Sequence, residues 1–382
     1  MDAATQLPTV AMIGAGQLAR MTHQAAIALG QSLKILAADP AESAAAVASQ
    51  VRIGDYRDLD ALREFASGAT VVTFDHEHVP QEALRALVAE GVEVQPRPEA
   101  LLFAQDKQAM RERLGKLGLP QPRWAPVAAA ADVAEFGTPC VLKAATGGYD
   151  GKGVWMVDSA ADAEEVLASG IRLIAEERMP LVRELAVQVA RSPRGETAVY
   201  PVVETVQVGG ICTEVIAPAQ DLDEATAAEA AAIARTVAEE LGVCGMLAVE
   251  LFQTEEGDGS QRLSVNELAM RAHNSGHWTI EGAVTSQFEQ HLRAVLDYPL
   301  GSAETAAPVT VMANVLGGEA GGPRLDERLQ HLMADDTAAR VHLYGKAVRP
   351  GRKIGHVTVC GDDVAELRER ARRAARRLTE GK

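Results

Sequence analysis

Between Thr9 and about Pro98, short apolar runs of strand length alternate with amphipathic stretches of helical period. Val10-Ala-Met-Ile13 leads through Gly14-Ala-Gly16-Gln-Leu-Ala19 into a helical pattern that ends at Leu29. Leu33-Lys-Ile-Leu36 leads to Asp39, Thr70–Phe74 precedes a helix predicted over Gln81–Ala89, and Val92-Glu-Val94 closes the series. This order predicts an α/β unit with a doubly wound, Rossmann-like sheet. Gly14-x-Gly16-x-x-Ala19 follows a strand, opens a helix and has Asp39 about twenty residues on, so it meets the permissive form of the dinucleotide-binding fingerprint. A tight strand-to-helix turn needs glycine in any case, which makes the fingerprint alone a weak signal.

From Gln105 to about Leu300 the pattern changes. Lys107, Met110, Leu114 and Leu117 give a helix ending at Gly118, and Pro120 and Pro122 read as a linker. Strands are predicted at Cys140–Ala144, Val154–Val157, Leu173-Ile174, Leu185–Ala190 and Ala198–Val203. An alanine-rich helix over Glu224–Leu241 and two strands, Gly245–Phe252 and Arg262–Ala269, follow. After a linker at Ala306-Ala-Pro308 comes a shorter unit with strands at Val309–Val315, Val341–Leu343 and Gly355–Cys360.

A chain of 382 residues suffices for two or three domains with sizeable cores. Its formal charge of −16 argues against non-specific binding to nucleic acid or acidic membranes, so anionic small ligands need local cationic pockets. The basic cluster Arg368–Arg377 carries Leu367, Ala371, Ala374, Ala375 and Leu378 at helical spacing and reads as the solvated face of a terminal helix. Cys140, Cys212, Cys244 and Cys360 lie far apart among apolar neighbours, which predicts reduced, buried thiols and a cytoplasmic protein. No run of membrane-spanning length and no basic, secretory-type leader is evident.

The most informative segment is Thr146-Gly147-Gly148-Tyr149-Asp150-Gly151-Lys152-Gly153, with four glycines in eight positions and Lys143 just before it. Such a loop can lay backbone N–H groups against phosphate and move as a flap. No Ser or Thr follows its lysine, so it is not a Walker loop. Glu250 and Glu267 lie in two apolar strands joined by a polar turn. Pairing of Gln253 with Ser264 in one hairpin would put the two carboxylates opposite each other. Facing carboxylates repel unless a cation lies between them, and magnesium carried by a nucleotide suits so sparse a protein ligand set. Asn266 points to the other face of an ideal strand, although a bulge would bring its amide oxygen into the same shell. The polar run Arg271-Ala-His273-Asn274-Ser275-Gly276-His277-Trp278 reads as a substrate loop, since Gly276 disfavours a helix that could pair His273 with His277 as zinc ligands.

These motifs, with Asn266-Glu267-Leu-Ala269 and Arg349-Pro-Gly-Arg352-Lys353 followed by Gly355-His356, resemble those of the 5-(carboxyamino)imidazole ribonucleotide synthase family over nearly the whole chain. That family belongs to the ATP-grasp superfamily. The resemblance implies an N-terminal pre-ATP-grasp domain at 1–104, an ATP-grasp domain at 105–300 with a lid at about 120–185, and a small β-rich C-terminal domain at 301–382. It also implies a homodimer and the carboxylation of aminoimidazole ribonucleotide with bicarbonate, driven by ATP with magnesium or manganese.

Carried over motif by motif, Lys107 and Lys143 would contact the ATP phosphates under a flap of Gly148, Tyr149, Asp150, Gly151, Lys152, Gly153 and Val154. Glu176, Glu177, Arg178 and Met179 would form the adenine hinge, and Glu184 would hold the ribose. Gln207 and Asn266 would contact the nucleotide, and Glu250 and Glu267 would bind the metal. Gly16, Gln17, Leu18, Glu77, Arg271, His273, Asn274, Ser275, Lys346, Arg349, Arg352 and Lys353 would bind the ribonucleotide. Lys143, Tyr149, Asp150, Arg271 and His273 would serve catalysis. The chain departs from the family pattern at Asp75, His76 and His78, where Glu, Phe and Asn are usual, at Gln207, often His, and at Lys107, often Arg. A nicotinamide-dependent oxidoreductase, the rival suggested by Gly14-x-Gly16, leaves the flap, the glutamate pair and the basic C-terminal motif without a role. An ATP-grasp ligase with another acceptor is the nearer alternative.

Overall fold

The computed structural model describes residues 5–148, 151–319 and 321–381. Thr9–Ile13 (β1), Ser32–Ala37 (β2), Gln50–Ile53 (β3) and Val71–Phe74 (β4) form a parallel sheet in the order β3-β2-β1-β4. The helices Gln17–Ala28 (α1) and Leu59–Ala66 (α2) connect its strands and Gln81–Ala89 (α3) follows β4; α1 and α3 match the predicted alternation, whereas α2 was not anticipated. Successive β1 residues serve opposite faces. Val10 and Met12 share a core with Ala19 and Ala26 of α1, whereas Ala11 and Ile13 join Leu62 and Phe65 of α2 and Leu84 and Leu87 of α3. Two further details differ from the sequence reading. β3 was not anticipated, because Gln-Val-Arg-Ile on a half-exposed edge lacks an apolar signature, and Val92–Val94 supplies only a bridge from Val94 to Val72.

Pro98–Gln105 (α4) and Lys107–Lys116 (α5) lead to a second sheet of Trp124–Val127 (β5), Cys140–Ala144 (β6), Val154–Val157 (β7) and Leu173–Glu177 (β8), ordered β5-β8-β6-β7. The third sheet contains Leu181–Arg191 (β9), Thr197–Val199 (β10), Val203–Val208 (β11), Ile211–Ala217 (β12), Gly245–Glu255 (β13), Gln261–Ala269 (β14), Val309–Leu316 (β15), Arg340–Leu343 (β16) and Lys353–Gly361 (β17). Its path is β14-β13-β9-β11-β12-β15-β17-β16, with β10 added beside β9. The run expected as one strand over Ala198–Val203 is thus divided between β10 and β11 around Pro201, which has no N–H for a ladder.

The strands of the C-terminal unit continue this sheet, since β15 pairs antiparallel with β12. That junction places the Lys346–Lys353 loop, between β16 and β17, on the same body as the carboxylate strands. The helix Val364–Glu380 covers β15 and β17 with Leu367, Ala371, Ala374 and Leu378, as its spacing predicts. Several of its arginines are paired, among them Arg368 and Arg372 with Glu214, and Arg370 with Asp336. His291, on the helix Gln287–Val295, joins the first and third sheets. Its Nδ1 accepts from the Met246 N–H at 3.2 Å, so its Nε2–H faces Thr73 Oγ1 at 2.8 Å. All four cysteines are free, but Cys360 is exposed, contrary to the expectation of uniformly buried thiols, because it ends β17 at the sheet margin. Among the described residues no helix is long and apolar enough to cross a membrane.

Candidate functional site

The carboxylate strands β13 and β14 are apolar where they face the core, with Leu247, Val249 and Leu251 fully buried, and polar where they face the cleft. Glu250 and Glu267 are register partners. The route to that pairing differs from the simple hairpin: Ser264 lies opposite Phe252, and Gln253 opposite Leu263. A bulge between Glu250 and Leu251 absorbs Asn266 and restores the glutamate pairing. The bulge leaves Asn266 Oδ1 accepting from Lys143 Nζ at 2.9 Å, inside the polar shell.

Two cations complete this shell. Lys107, at the start of α5, donates to Glu267 Oε1 at 2.5 Å. Lys143, on β6, reaches Glu176 Oε2 at 2.7 Å as well as Asn266. Burial pulls the Lys143 ammonium below the usual lysine value, and Glu176 opposes that shift. Burial, then repulsion from Glu267 and Glu184, raises Glu250 to about 8. Glu267 is drawn below the usual carboxylate value by Lys107 and Lys143, which outweigh its own desolvation. Glu184 on β9 lies opposite Phe252 and is raised by burial. Among the described residues no three His, Cys, Asp or Glu side chains form a metal cage. Two facing carboxylates and one amide oxygen fit a hard cation that arrives with most of its ligands as phosphate and water.

Lys143, Gly148, Lys152 and Val154 lie at the junction of β6, the flap and β7, while Tyr149 and Asp150 lie outside the described residues. Gly151 has φ of +73°, and a Cβ there would come within 3.2 Å of Gly210 Cα, so Gly151 packs against the β11–β12 turn. That turn follows Gln207, which sits at a β11 irregularity opposite Cys212. The expected adenine hinge spans the end of β8, with Glu176 and Glu177, and the turn through Arg178 and Met179, whose carbonyl accepts from the Leu181 N–H at 3.0 Å.

A second group of residues adjoins this shell. Arg271 Nε donates to Glu77 Oε2 at 2.6 Å, and the charges of Asp75 and Glu267 act on the same guanidinium. The other oxygen, Glu77 Oε1, is buried without a partner. At the α1 N-terminus, Gly16 N–H donates to Asp75 Oδ2 at 2.5 Å, and Lys346 Nζ donates to Gln17 Oε1. Leu18 is buried behind them with Tyr344 and Phe288. Asp75 thereby occupies the anion-binding end of α1 with its own carboxylate, and a Cβ on Gly14 would lie 1.8 Å from Asp75 Oδ1. In a dinucleotide-binding turn that position receives a pyrophosphate. The glycine fingerprint therefore serves a different contact here, against the oxidoreductase alternative.

His273 Nδ1 lies 2.8 Å from Ser275 Oγ, which itself accepts from Gln188 Nε2 at 2.7 Å. This chain of bonds assigns the ring proton to Nε2, which faces Glu250 Oε1 at 3.4 Å. Burial, then the charges of Arg271 and Lys353, holds His273 neutral, so it presents a donor to the cleft. Ser275, expected at the substrate, is instead buried beneath the loop with its hydroxyl engaged by Gln188 and His273. Asn274 forms a reciprocal amide pair with Asn314 of β15, at 2.7 and 3.0 Å. Both residues shape the loop that carries His273.

Of the basic C-terminal motif, Lys346 and the half-buried Lys353 turn toward the cleft, Lys353 acting on both Glu250 and His273. Arg349 and Arg352 stay exposed on a turn pinned to Gly317 by backbone bonds of 2.8 and 2.9 Å. The roles of three contributors escaped the sequence reading: Asp75, noted there only as a departure from the family pattern, Gln287, which clamps both backbone groups of His273, and Arg111, which holds Glu176. Only Arg111 left a signal, since it lies four residues after Lys107 on one helical face.

The comparisons agree along the chain. Residues 7–105 match the ribonucleotide synthetase preATP-grasp domain, 112–288 the ATP-grasp domain, and 310–370 the phosphoribosylaminoimidazole carboxylase C-terminal domain. The chain is 56% identical to the N5-carboxyaminoimidazole ribonucleotide synthase of Mycobacterium tuberculosis, covering 98% of this chain and 89% of that protein. The carboxyaminoimidazole ribonucleotide synthase of Aspergillus clavatus complexed with ATP superposes with a TM-score of 0.88 at 34% identity, over 97% of this chain and 98% of that one. A second Aspergillus clavatus structure, in complex with ADP and 5-aminoimidazole ribonucleotide, gives a TM-score of 0.85 at 33% identity over the same shares. With its three domain matches in register and its cleft built from the motifs described, the chain belongs to the N5-carboxyaminoimidazole ribonucleotide synthase family of ATP-grasp enzymes.

Proposed function

We propose that this chain uses ATP and bicarbonate to carboxylate 5-aminoimidazole ribonucleotide to N5-carboxyaminoimidazole ribonucleotide, a step of purine biosynthesis. The observation that carries the reading is the position of Arg271. It is bonded to Glu77 on the N-terminal side and acted on by Glu267 of the carboxylate pair, which supports an ATP site and an acceptor site side by side in one cleft. The buried, unpartnered Glu77 Oε1 supplies an acceptor for an amine or hydroxyl of the ribonucleotide. Lys346 and Lys353 supply positive charge for its phosphate, with Arg349 and Arg352 at the rim.

Bicarbonate carbon is a poor electrophile. Transfer of the γ-phosphate to a bicarbonate oxygen gives carboxyphosphate and ADP, and installs phosphate as a leaving group. The exocyclic amine then forms the N–C bond, the C–O bond to phosphate breaks with its electron pair, and the amine gives up a proton. Magnesium or manganese brought by the nucleotide would neutralise phosphate charge, held by Glu250 and Glu267 with Asn266 beside them. Lys107 and Lys143 would bind the phosphates in the same shell, and exchange their present carboxylate and amide partners for phosphate oxygens. His273 orients the reactants through its Nε2–H. The flap excludes water, which carboxyphosphate requires. The reading also comprises the domain limits at 104/105 and 300/301, a homodimer and a cytoplasmic setting. Product analysis tests it: ATP, labelled bicarbonate and aminoimidazole ribonucleotide together should give labelled carboxyamino product. Equal turnover of glycinamide ribonucleotide would favour the other acceptor class.

A further inference from the structure

Arg111 lies one turn beyond Lys107 on α5, and its guanidinium is wholly buried. Its three nitrogens serve two elements. Nε donates to Glu176 Oε1 on β8 at 2.8 Å, one terminal nitrogen donates to the Val265 carbonyl at 2.6 Å, and the other donates to the Asn266 carbonyl at 2.7 Å. The last two acceptors are the backbone of the β14 bulge. Glu176 uses its second oxygen for Lys143, and Lys143 returns to the Asn266 side chain. Arg111, Glu176, Lys143 and Asn266 therefore close a ring that ties the second sheet to the third.

We propose that Arg111 is a positioning residue for ATP, fixing the spacing between Lys143 and the Asn266–Glu267 bulge across the seam between the two sheets. This rests on the reading of those residues as the ATP and metal site. A planar fork reaches a carboxylate and two carbonyls at once, whereas a lysine ammonium at the end of a flexible stem cannot reproduce that geometry. Without Arg111 the buried Glu176 carboxylate has Lys143 as its remaining cation. Lys143 is drawn into a full ion pair and away from phosphate, and the bulge carbonyls lose their donors. The acceptor pocket, built on Glu77, Arg271 and Lys346, lies outside the ring.

The test is a double-mutant cycle on the full-length enzyme, with Arg111→Lys, Glu176→Gln and the double variant. ATP and aminoimidazole ribonucleotide are varied separately, and thermal unfolding is measured alongside. Each folded single variant should raise KM for ATP roughly tenfold or more and leave KM for the ribonucleotide within about twofold; the double should be little worse than the weaker single, because both open one ring. Unchanged KM for ATP, equal effects on both substrates, or simple additivity would overturn the proposal. If Arg111→Lys does not fold, Glu176→Gln alone decides, since it keeps an acceptor for Arg111 and removes the Lys143 anchor. Calorimetric titration with ATP separates this proposal from the functional reading. Weakened ATP binding in the variants supports the ring whatever the acceptor proves to be, and unaltered binding sinks it even if wild-type carboxylation is confirmed.

Discussion

Glu250 and Glu267 stand opposite each other on paired strands, with Lys107 held against Glu267 and no cation held as closely against Glu250 among the described contacts. Like charges so placed disfavour the fold, and a bound divalent cation relieves them. Glu267→Gln keeps the shape and removes one anionic oxygen. Turnover at limiting magnesium should fall on the order of a hundredfold or more, with thermal stability retained. Near-normal turnover under those conditions would make the pair structural.

The same strain predicts a pH dependence in protein free of nucleotide and divalent metal. Glu250 has its folded value raised to about 8 from the ordinary 4.5, by burial and then by Glu267 and Glu184. Across that window the folded protein holds a proton that the unfolded chain has released, so stability declines as pH rises from about 4.5 to about 8. Glu250→Gln carries no such proton. Its stability relative to wild type should therefore improve steadily from pH 5 to pH 8 in thermal melts, and a constant difference would refute the assignment.

The proposed acceptor pocket can be dissected by position. Lys346 reaches Gln17 at the α1 N-terminus, whereas Arg352 lies exposed on the neighbouring turn. Lys346→Ala should raise KM for the ribonucleotide strongly and that for ATP little, and Arg352→Ala should act in the same sense but less. Initial-rate measurements with each substrate varied check the order, and a larger effect at Arg352 would move the phosphate to the rim.

Gly14 tests the reinterpreted fingerprint. It has φ of +101°, and an added Cβ would meet Asp75 Oδ1 at 1.8 Å. Gly14→Ala should cost ~1–3 kcal/mol in denaturant unfolding through backbone strain alone, with the displacement of Asp75 adding to it. Stability equal to wild type would show that the turn relaxes freely.

Legibility in the sequence followed physical locality. The first crossover helix, the helix Gln81–Ala89 and the flap strands Cys140–Ala144 and Val154–Val157 were readable because apolar period and glycine placement are local signals. The Glu250–Glu267 pairing was reached by an ideal register, whereas the molecule reaches it through a bulge at Asn266 that one strand's sequence cannot announce. The union of β12 with β15 joins residues about a hundred positions apart, and periodicity carries no trace of it. Ser275 and Asn274 look like ligand residues in the sequence. Only packing reveals that Gln188 and Asn314 engage them. The role of Asp75 is similarly hidden, since it arises from facing Gly16 across 59 residues.

In the proposed reaction, phosphate transfer from ATP is coupled to carboxylation of the ribonucleotide amine. The direct measurement follows ADP release and isotopic label together, with ATP, magnesium, labelled bicarbonate and aminoimidazole ribonucleotide supplied, and with each omitted in turn. Rapid ADP release only in the complete mixture, with one label carried into the carboxyamino product per ADP, is the expected result. ADP release that proceeds equally without the ribonucleotide, or a product free of label, would contradict the account.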